Sequence, residues 1–186
     1  VCSSDLFNLF DMDGFQILLD YGHNLGGYQS VIQFAKTMDA SRVIGIIGMP
    51  GDRLDKAINE VATMAGQAFT KIYIKEDKDL RGRQTGEVAA IMYSGALNGG
   101  IEQENVEIVL SETEALEAAL KEARPGDLVV MFYERFEENY KLIQEYKWSL
   151  ECPAPAPLLS LTNVAAAAIK PLSGELHDSA AVTGVI

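Results

Sequence analysis

The amino-acid sequence predicts an α/β fold, and two observations support that prediction. Short apolar runs alternate with segments of helical periodicity about 12 residues long, which is typical of βαβ units. One of the runs, RVIGIIGM (42–49), is almost continuously apolar, as expected for a strand of a parallel sheet that is buried on both faces. The 186 residues suffice for one domain with a sizeable core.

Local sequence signals predict each helix and strand along the chain. Asp13-Gly14 is a hairpin-turn signal, so residues 7–12 are predicted to pair antiparallel with a strand at 15–20. Asn24 is a good N-cap for the helix that follows, in which apolar residues recur at helical spacing. Further strands are predicted at 42–49, 71–76, 106–110 and 125–134, and further helices at 54–69, 87–98, 111–123 and 136–146.

This order predicts a Rossmann-like, three-layer domain: a mostly parallel sheet with an antiparallel N-terminal strand and helices on both faces. We expect the domain to span residues 7–148. Residues 149–186 are rich in alanine and proline and lack periodicity, so they are predicted to be a linker or disordered tail. Residues 1–6, VCSSDL, match the translation of a common sequencing-adapter tail, and we interpret them as an assembly scar. Independent reads with the same codons in genomic context would refute that interpretation.

Composition narrows the classes of partner. A formal net charge of −12 argues against a nucleic-acid or anionic-membrane surface, because both need clustered Lys and Arg. A small anionic ligand stays compatible, since it needs a few N–H groups and one or two cations. The two cysteines lie near opposite ends of the chain, with no disulfide framework or metal-ligand spacing. We therefore expect a cytoplasmic protein and no metal site in this chain.

Three polar loops follow predicted strands, at residues 20–27, 49–53 and 75–86. Because ligands of open α/β sheets bind outside the carboxyl ends of the strands, these loops are the predicted site. In the first loop, Asp20 can accept hydrogen bonds from a ribose diol, and His23 can donate to a ligand oxygen or stack on a base. From the residues alone, an ordinary turn capped by Asn24 with a solvated His23 explains the same pattern.

The other two loops carry the cations of the predicted site. GMPGDR (48–53) is not a Walker loop, yet its N–H groups and Arg53 could meet an oxyanion. In KEDKDLRGRQTGE (75–87), Arg81 and Arg83 with Asp77 and Asp79 could recognise both ends of an amino acid. A tight turn and a solvated charged loop are the alternatives. No Ser/His/Asp or Cys/His set is present, so no catalytic residue is predicted in this chain.

In this order, the DYGHN junction, the GMPGDR turn and the KEDKDLRGR loop resemble the C-terminal domain of the Mur ligase superfamily, over residues 7 to 147. Within that superfamily, the turn and the DLRGR loop look like those of the cyanophycin synthetase family. The resemblance implies an enzyme that uses ATP and magnesium to activate a carboxylate as an acyl-phosphate and then joins an amine to it. A central ATPase domain, absent from this chain, would bind ATP and Mg²⁺. The present domain would close over the nucleotide and help to hold the amino acid, with arginine and aspartate as candidates.

The resemblance also assigns roles to residues. It places Asp20, Tyr21, His23 and Asn24 at the nucleotide, and it places the turn Gly51, Asp52 and Arg53 near the phosphate or substrate. It places the set Asp77, Asp79, Arg81 and Arg83 at the amino acid.

The sequence departs from the superfamily pattern at two positions: Gly22 replaces the usual alanine and Leu25 the usual proline, which removes a φ constraint. The isolated chain is expected to be inactive, and the full enzyme could be a homo-oligomer. The alternative function is a stand-alone nucleotide- or acid-binding module. A doubly wound oxidoreductase is disfavoured because no GxGxxG follows a strand.

Overall fold

The computed structural model describes residues 8–151, which form a six-stranded sheet with five α-helices packed on it. The strands are β1 (Asn8–Asp11), β2 (Gln16–Asp20), β3 (Arg42–Ile47), β4 (Lys71–Ile74), β5 (Val106–Ile108) and β6 (Asp127–Phe132). The helices are α1 (Leu25–Ala35), α2 (Asp55–Ala68), α3 (Glu87–Asn98), α4 (Glu112–Glu122) and α5 (Phe136–Glu151), and a 3-10 turn at Gln103–Asn105 precedes β5.

The strand order is β1-β2-β6-β3-β4-β5, and all neighbours are parallel except β1 and β2. The predicted N-terminal hairpin is present, and its turn places Gly14 at φ +87°, a left-handed conformation that glycine adopts without steric cost. The last strand, β6, lies in the middle of the sheet, where Asp20 of β2 pairs with Phe132 and Ile46 of β3 pairs with Met131. The predicted fold class is confirmed.

Apolar side chains cover both faces of the sheet. In β2, Leu18 packs with the buried faces of α1, α2 and α3, whereas Ile17 and Leu19 pack on the other face with α4 and α5. Every residue of β6 is buried, as expected for a central parallel strand. Because helices cover both faces of the sheet, the ends of its strands remain accessible.

Element boundaries agree with the prediction to within a few residues, as is usual for helix and strand ends. The clearest difference is α5, which continues to Glu151, past the domain boundary predicted after Trp148. Residues 1–6 and the remainder of the predicted tail lie outside the described residues. Within residues 8–151, no helix is long and apolar enough to span a membrane.

Candidate functional site

A polar cleft of about 220 Å³ lies at the carboxyl edge of the sheet. It forms there because β2, β6, β3 and β4 are consecutive neighbours, so the loops that follow them meet. Five of the predicted site residues line this cleft: Tyr21, His23, Arg53, Asp77 and Arg81. The other six are not among the lining residues: Asp20, Asn24, Gly51, Asp52, Asp79 and Arg83.

In the loop after β2, Asp20 is buried and accepts a 2.7 Å hydrogen bond from the Gly22 N–H. Burial raises the pKa of Asp20 above its ordinary value, against the opposing effects of the Gly22 N–H and His23. A Cβ on Gly22 would lie 2.9 Å from the Asp20 carboxylate and 3.0 Å from the Phe132 ring. Glycine therefore stands where the superfamily usually has alanine because this loop packs tightly against its own neighbours.

His23 and Tyr21 are the two side chains of this loop that line the cleft. The Nδ1 of His23 lies 3.0 Å from the Tyr21 carbonyl oxygen, which can only accept, so Nδ1 carries the proton. Nε2 is then an acceptor in the neutral ring. Tyr21 is 55% exposed and its ring lies 5.1 Å from the His23 ring, so both present aromatic surface at the cleft.

Asn24 and Tyr28 fix the helix that follows. The Asn24 Oδ1 accepts from the Gly27 N–H at 2.9 Å, which confirms its role as N-cap. The Tyr28 hydroxyl donates to the Gly48 carbonyl at 2.8 Å and accepts from the Gly48 N–H at 3.1 Å. The buried Tyr28 ring also stacks on Phe132 at 3.6 Å between centroids, so α1 is tied to the ends of both β3 and β6.

The turn after β3 packs directly on the loop after β4. A Cβ on Gly51 would overlap the Leu80 carbonyl oxygen, so glycine is required for this approach. Asp52 pairs with Arg81 at 2.9 Å, and this ion pair lowers the pKa of Asp52. The Arg53 Nε is buried, lacks a hydrogen-bond partner within residues 8–151 and lies 3.9 Å from Asp52.

The two arginines of the DLRGR loop have different environments. Arg81 is half exposed, has φ +49°, and makes one side-chain ion pair, to Asp52, while Asp79 accepts from its backbone N–H. Arg83 is largely buried and donates to two backbone carbonyls and two carboxylates. The prediction treated the two arginines as equivalent, and the structure separates them.

A buried ion cluster, which the sequence analysis did not identify, forms the wall of the cleft beside Asp77. Lys75, whose side chain is 2% exposed, donates to Asp77 at 2.9 Å and to Glu112 at 2.6 Å. Glu112, at the start of α4, also accepts from the backbone N–H groups of Glu134 and Arg135. This cluster joins the loops after β4 and β6 to α4.

Three further lining residues, Phe132, Tyr133 and Glu134, come from the end of β6. They were missed because the sequence does not show that β6 inserts between β2 and β3. One signal in the sequence could have identified them as candidates: the aromatic and acidic residues FYE at the end of a predicted buried strand. Within the described part of the chain, no group of three His, Cys, Asp or Glu is placed to hold a metal ion.

A second, larger cleft of about 460 Å³ adjoins the first and shares Asp77 and Glu134 with it. The outer side of the loop after β4 forms one wall, and the first turns of α4 and α5 contribute to the other. Its volume falls in the range of roughly 300–1,000 Å³ that is typical of small-molecule sites.

A mostly parallel sheet with helices on both faces and four strand-end loops that converge on one polar cleft is typical of the Rossmann-like class. Residues 7–132 match the family described as Mur ligase, glutamate ligase domain, and the chain belongs to that family. The predicted resemblance is therefore confirmed.

Relatives and solved structures agree with this assignment. The cyanophycin synthetase of Geminocystis herdmanii (strain PCC 6308) is 42% identical over 146 residues, which are 77% of this chain and 16% of that protein. A UDP-N-acetylmuramoyl-L-alanyl-D-glutamate–2,6-diaminopimelate ligase structure has a TM-score of 0.66 at 14% identity, over 81% of this chain and 33% of the other. The MurF ligase of Thermotoga maritima in complex with ADP has a TM-score of 0.52 at 16% identity, over 80% and 31%. The two structures show the shared fold.

Proposed function

We propose that this chain is the closing, amino-acid-positioning C-terminal domain of a longer ATP-dependent ligase of the cyanophycin synthetase type. The observation that supports this best is the convergence of the three predicted loops on one cleft, lined by Tyr21, His23, Arg53, Asp77 and Arg81. The chain spans 16% of the length of the cyanophycin synthetase it matches. This sequence contains no Walker loop, so we assign the phosphate chemistry to another part of the longer protein.

The loop after β2 is the proposed nucleotide contact. The His23 Nε2 can accept a hydrogen bond from a hydroxyl group of the nucleotide, and the exposed Tyr21 ring can stack on a base. Asp20 and Asn24 belong to the same proposed nucleotide site. They hold the conformation of this loop by accepting hydrogen bonds from the N–H groups of Gly22 and Gly27. The turn Gly51, Asp52 and Arg53 presents a guanidinium group beside them, near the phosphates or the activated carboxylate.

The loop after β4 is the proposed amino-acid contact. Arg81 can exchange its single carboxylate partner for that of a substrate, and Asp77 and Asp79 can meet an ammonium or guanidinium group. The larger cleft next to this loop has room for a whole amino acid and contains charges of both signs. Arginine and aspartate, the candidates that the family resemblance implies, both carry charged groups that such a cleft could accommodate.

ATP and magnesium complete the proposal. The MurF structure with the same fold contains ADP, in line with ATP as the phosphoryl donor. Among residues 8–151, no group of three His, Cys, Asp or Glu is placed to hold a metal ion, so we place Mg²⁺ and the phosphate-binding loop in the central ATPase domain. ATP is abundant in the cytoplasm, and we place the reaction there.

Two measurements test the function. The longer protein that contains this chain should release ADP only when both a carboxylate acceptor and an amino acid are present, and it should form an amide bond detectable by mass spectrometry. The 186-residue chain alone should form none. If the longer protein binds ATP yet forms no amide bond with any amino acid, a nucleotide-binding module is the better description.

A further inference from the structure

The donors of Arg83 are almost fully committed inside the protein. Its Nε donates to the Gly51 carbonyl at 2.7 Å, and its Nη2 donates to the Arg53 carbonyl at 2.7 Å and to Asp55 at 2.6 Å. Its Nη1 donates to Glu87 at 2.8 Å. A guanidinium group has five N–H donors, so one remains.

A substrate carboxylate cannot be held in a bidentate way by that single donor. Bidentate recognition needs two parallel N–H groups on one edge of the guanidinium plane. On the edge formed by Nε and Nη2, both donors are occupied. The edge formed by Nη1 and Nη2 also lacks a free pair, because both N–H groups of Nη2 are already used. Among residues 8–151, Arg81 makes one ion pair, to Asp52, and so keeps donors that Arg83 lacks.

The acceptors of Arg83 show what it does. Two of them are backbone carbonyls of the turn after β3, and the two carboxylates belong to the first residues of α2 and α3. The same two loops touch where Gly51 packs against the Leu80 carbonyl. Arg83 thus bonds the turn after β3 to the loop after β4 at their closest approach.

We propose that Arg83 is a positioning residue that makes these two loops one rigid unit, and that it does not contact the substrate. Through this unit it sets where Arg53 and Arg81 stand in the cleft. The inference deepens the proposed function, on which its kinetic consequence rests, while its structural consequence is independent of any reaction.

The structural test uses the 186-residue chain and two matched variants, Arg83→Lys and Arg81→Lys. Lysine keeps the charge but replaces the planar fork with a point charge, which cannot reach four acceptors in this arrangement. Hydrogen exchange of the amides of residues 51–54 and 79–83 should become at least about tenfold faster in Arg83→Lys and should stay within about twofold in Arg81→Lys. Equal exchange in the two variants would overturn the proposal.

The kinetic test uses the longer protein with the same two substitutions. Arg81→Lys should raise the KM for the amino acid, whereas Arg83→Lys should lower kcat about tenfold or more and change that KM less than about threefold. Asp55→Asn and Glu87→Gln, which replace partners of Arg83, should reproduce part of the loss in kcat. A rise in the amino-acid KM confined to Arg83→Lys, with kcat unchanged, would make Arg83 a substrate contact. If Arg83→Lys speeds hydrogen exchange but the longer protein has no ligase activity, the proposed function is refuted and the positioning role of Arg83 stands.

Discussion

His23 lines the cleft, and the proposed nucleotide contact depends on it most directly. Its Nδ1 is engaged with the Tyr21 carbonyl, which orients the ring and leaves Nε2 for a ligand. Replacing His23 by Ala in the longer protein should cost roughly 1–3 kcal/mol of ligand interaction, about a 5- to 150-fold effect on kcat/KM for ATP. Because a closing domain can act after ATP has bound, the loss can fall on kcat.

A thermal melt of the same variant separates function from folding. A substitution in a surface loop usually changes stability by about 0.5 kcal/mol or less. Gln29→Ala, at an exposed position of α1, serves as the control and should leave both measurements unchanged. Unchanged kinetics with a large melt shift in His23→Ala would show a structural turn residue.

Tyr28 stabilises the backbone that lines the cleft at Gly48. Its hydroxyl satisfies both backbone groups of Gly48, so Tyr28→Phe should leave a buried donor and a buried acceptor without a partner. We expect a loss of roughly 1–3 kcal/mol in the free energy of unfolding, measured by urea denaturation of this chain. Tyr140→Phe, at an exposed tyrosine of α5, is the matched control, and an equal loss in both variants would contradict the argument.

Sequence patterns predicted three of the loops that meet at the cleft but not the partners of each side chain. Arg81 and Arg83 are identical in type and flank Gly82, yet one is half exposed and the other is bonded to four acceptors. Two of those acceptors lie about 30 residues earlier in the chain, in the turn after β3. Composition and spacing carry no information about such contacts, because they depend on the strand order.

At the scale of the elements, local sequence signals were enough to predict that an element is present and whether it is a helix or a strand. The Asp13-Gly14 turn, the Asn24 cap and the apolar periodicity of α1 each predicted an element that the structure contains. Strand order was the missing information: the position of β6 between β2 and β3 brings Phe132, Tyr133 and Glu134 to the cleft. A central position is compatible with any buried and mostly apolar strand, so the sequence DLVVMF alone could not locate β6 within the sheet.

Glu112 joins these elements, and its titration provides a test. Burial by itself would raise the pKa of Glu112, but Lys75 and the N–H groups of Glu134 and Arg135 outweigh it and hold the pKa below its ordinary value. A depressed folded-state pKa stabilises the fold above the unfolded-state pKa of about 4.3, and this contribution is lost as the pH falls through the folded-state value.

Glu112→Gln should therefore destabilise the chain by roughly 1–3 kcal/mol at pH 7, since Lys75 loses one of its two carboxylate partners and keeps Asp77. The difference from the unmodified chain should shrink as the pH falls below about 4.3, in urea titrations at a series of pH values. Glu114→Gln, exposed in the same turn of α4, is the control. A difference that is independent of pH would contradict the ion-pair explanation.

At the scale of the whole molecule, residues 8–151 contain two hydrophobic clusters that cover the sheet. Both hydrophobic clusters, one on each face of the sheet, consist of residues between Phe10 and Tyr146. Trp148 and Leu150, near the end of α5, are among the exposed large apolar side chains. The stability of the domain should therefore come from residues up to the end of α5.

A chain that ends at Glu151 should consequently keep the fold without residues 152–186. Those residues lack periodic apolar positions, so their removal should expose little buried apolar surface, and burial of such surface is the main source of stability. For a domain of this size, a change of about 1 kcal/mol shifts Tm by roughly 2–4 °C. We therefore expect the shortened chain to melt within about 4 °C of the full chain, as measured by circular dichroism at equal protein concentration.

A second chain, which ends at Leu142, serves as the control. It removes Ile143 and Tyr146 from the core and should melt far lower, which would show that the assay detects lost packing. A comparable drop in the chain ending at Glu151 would mean that residues 152–186 pack on the domain.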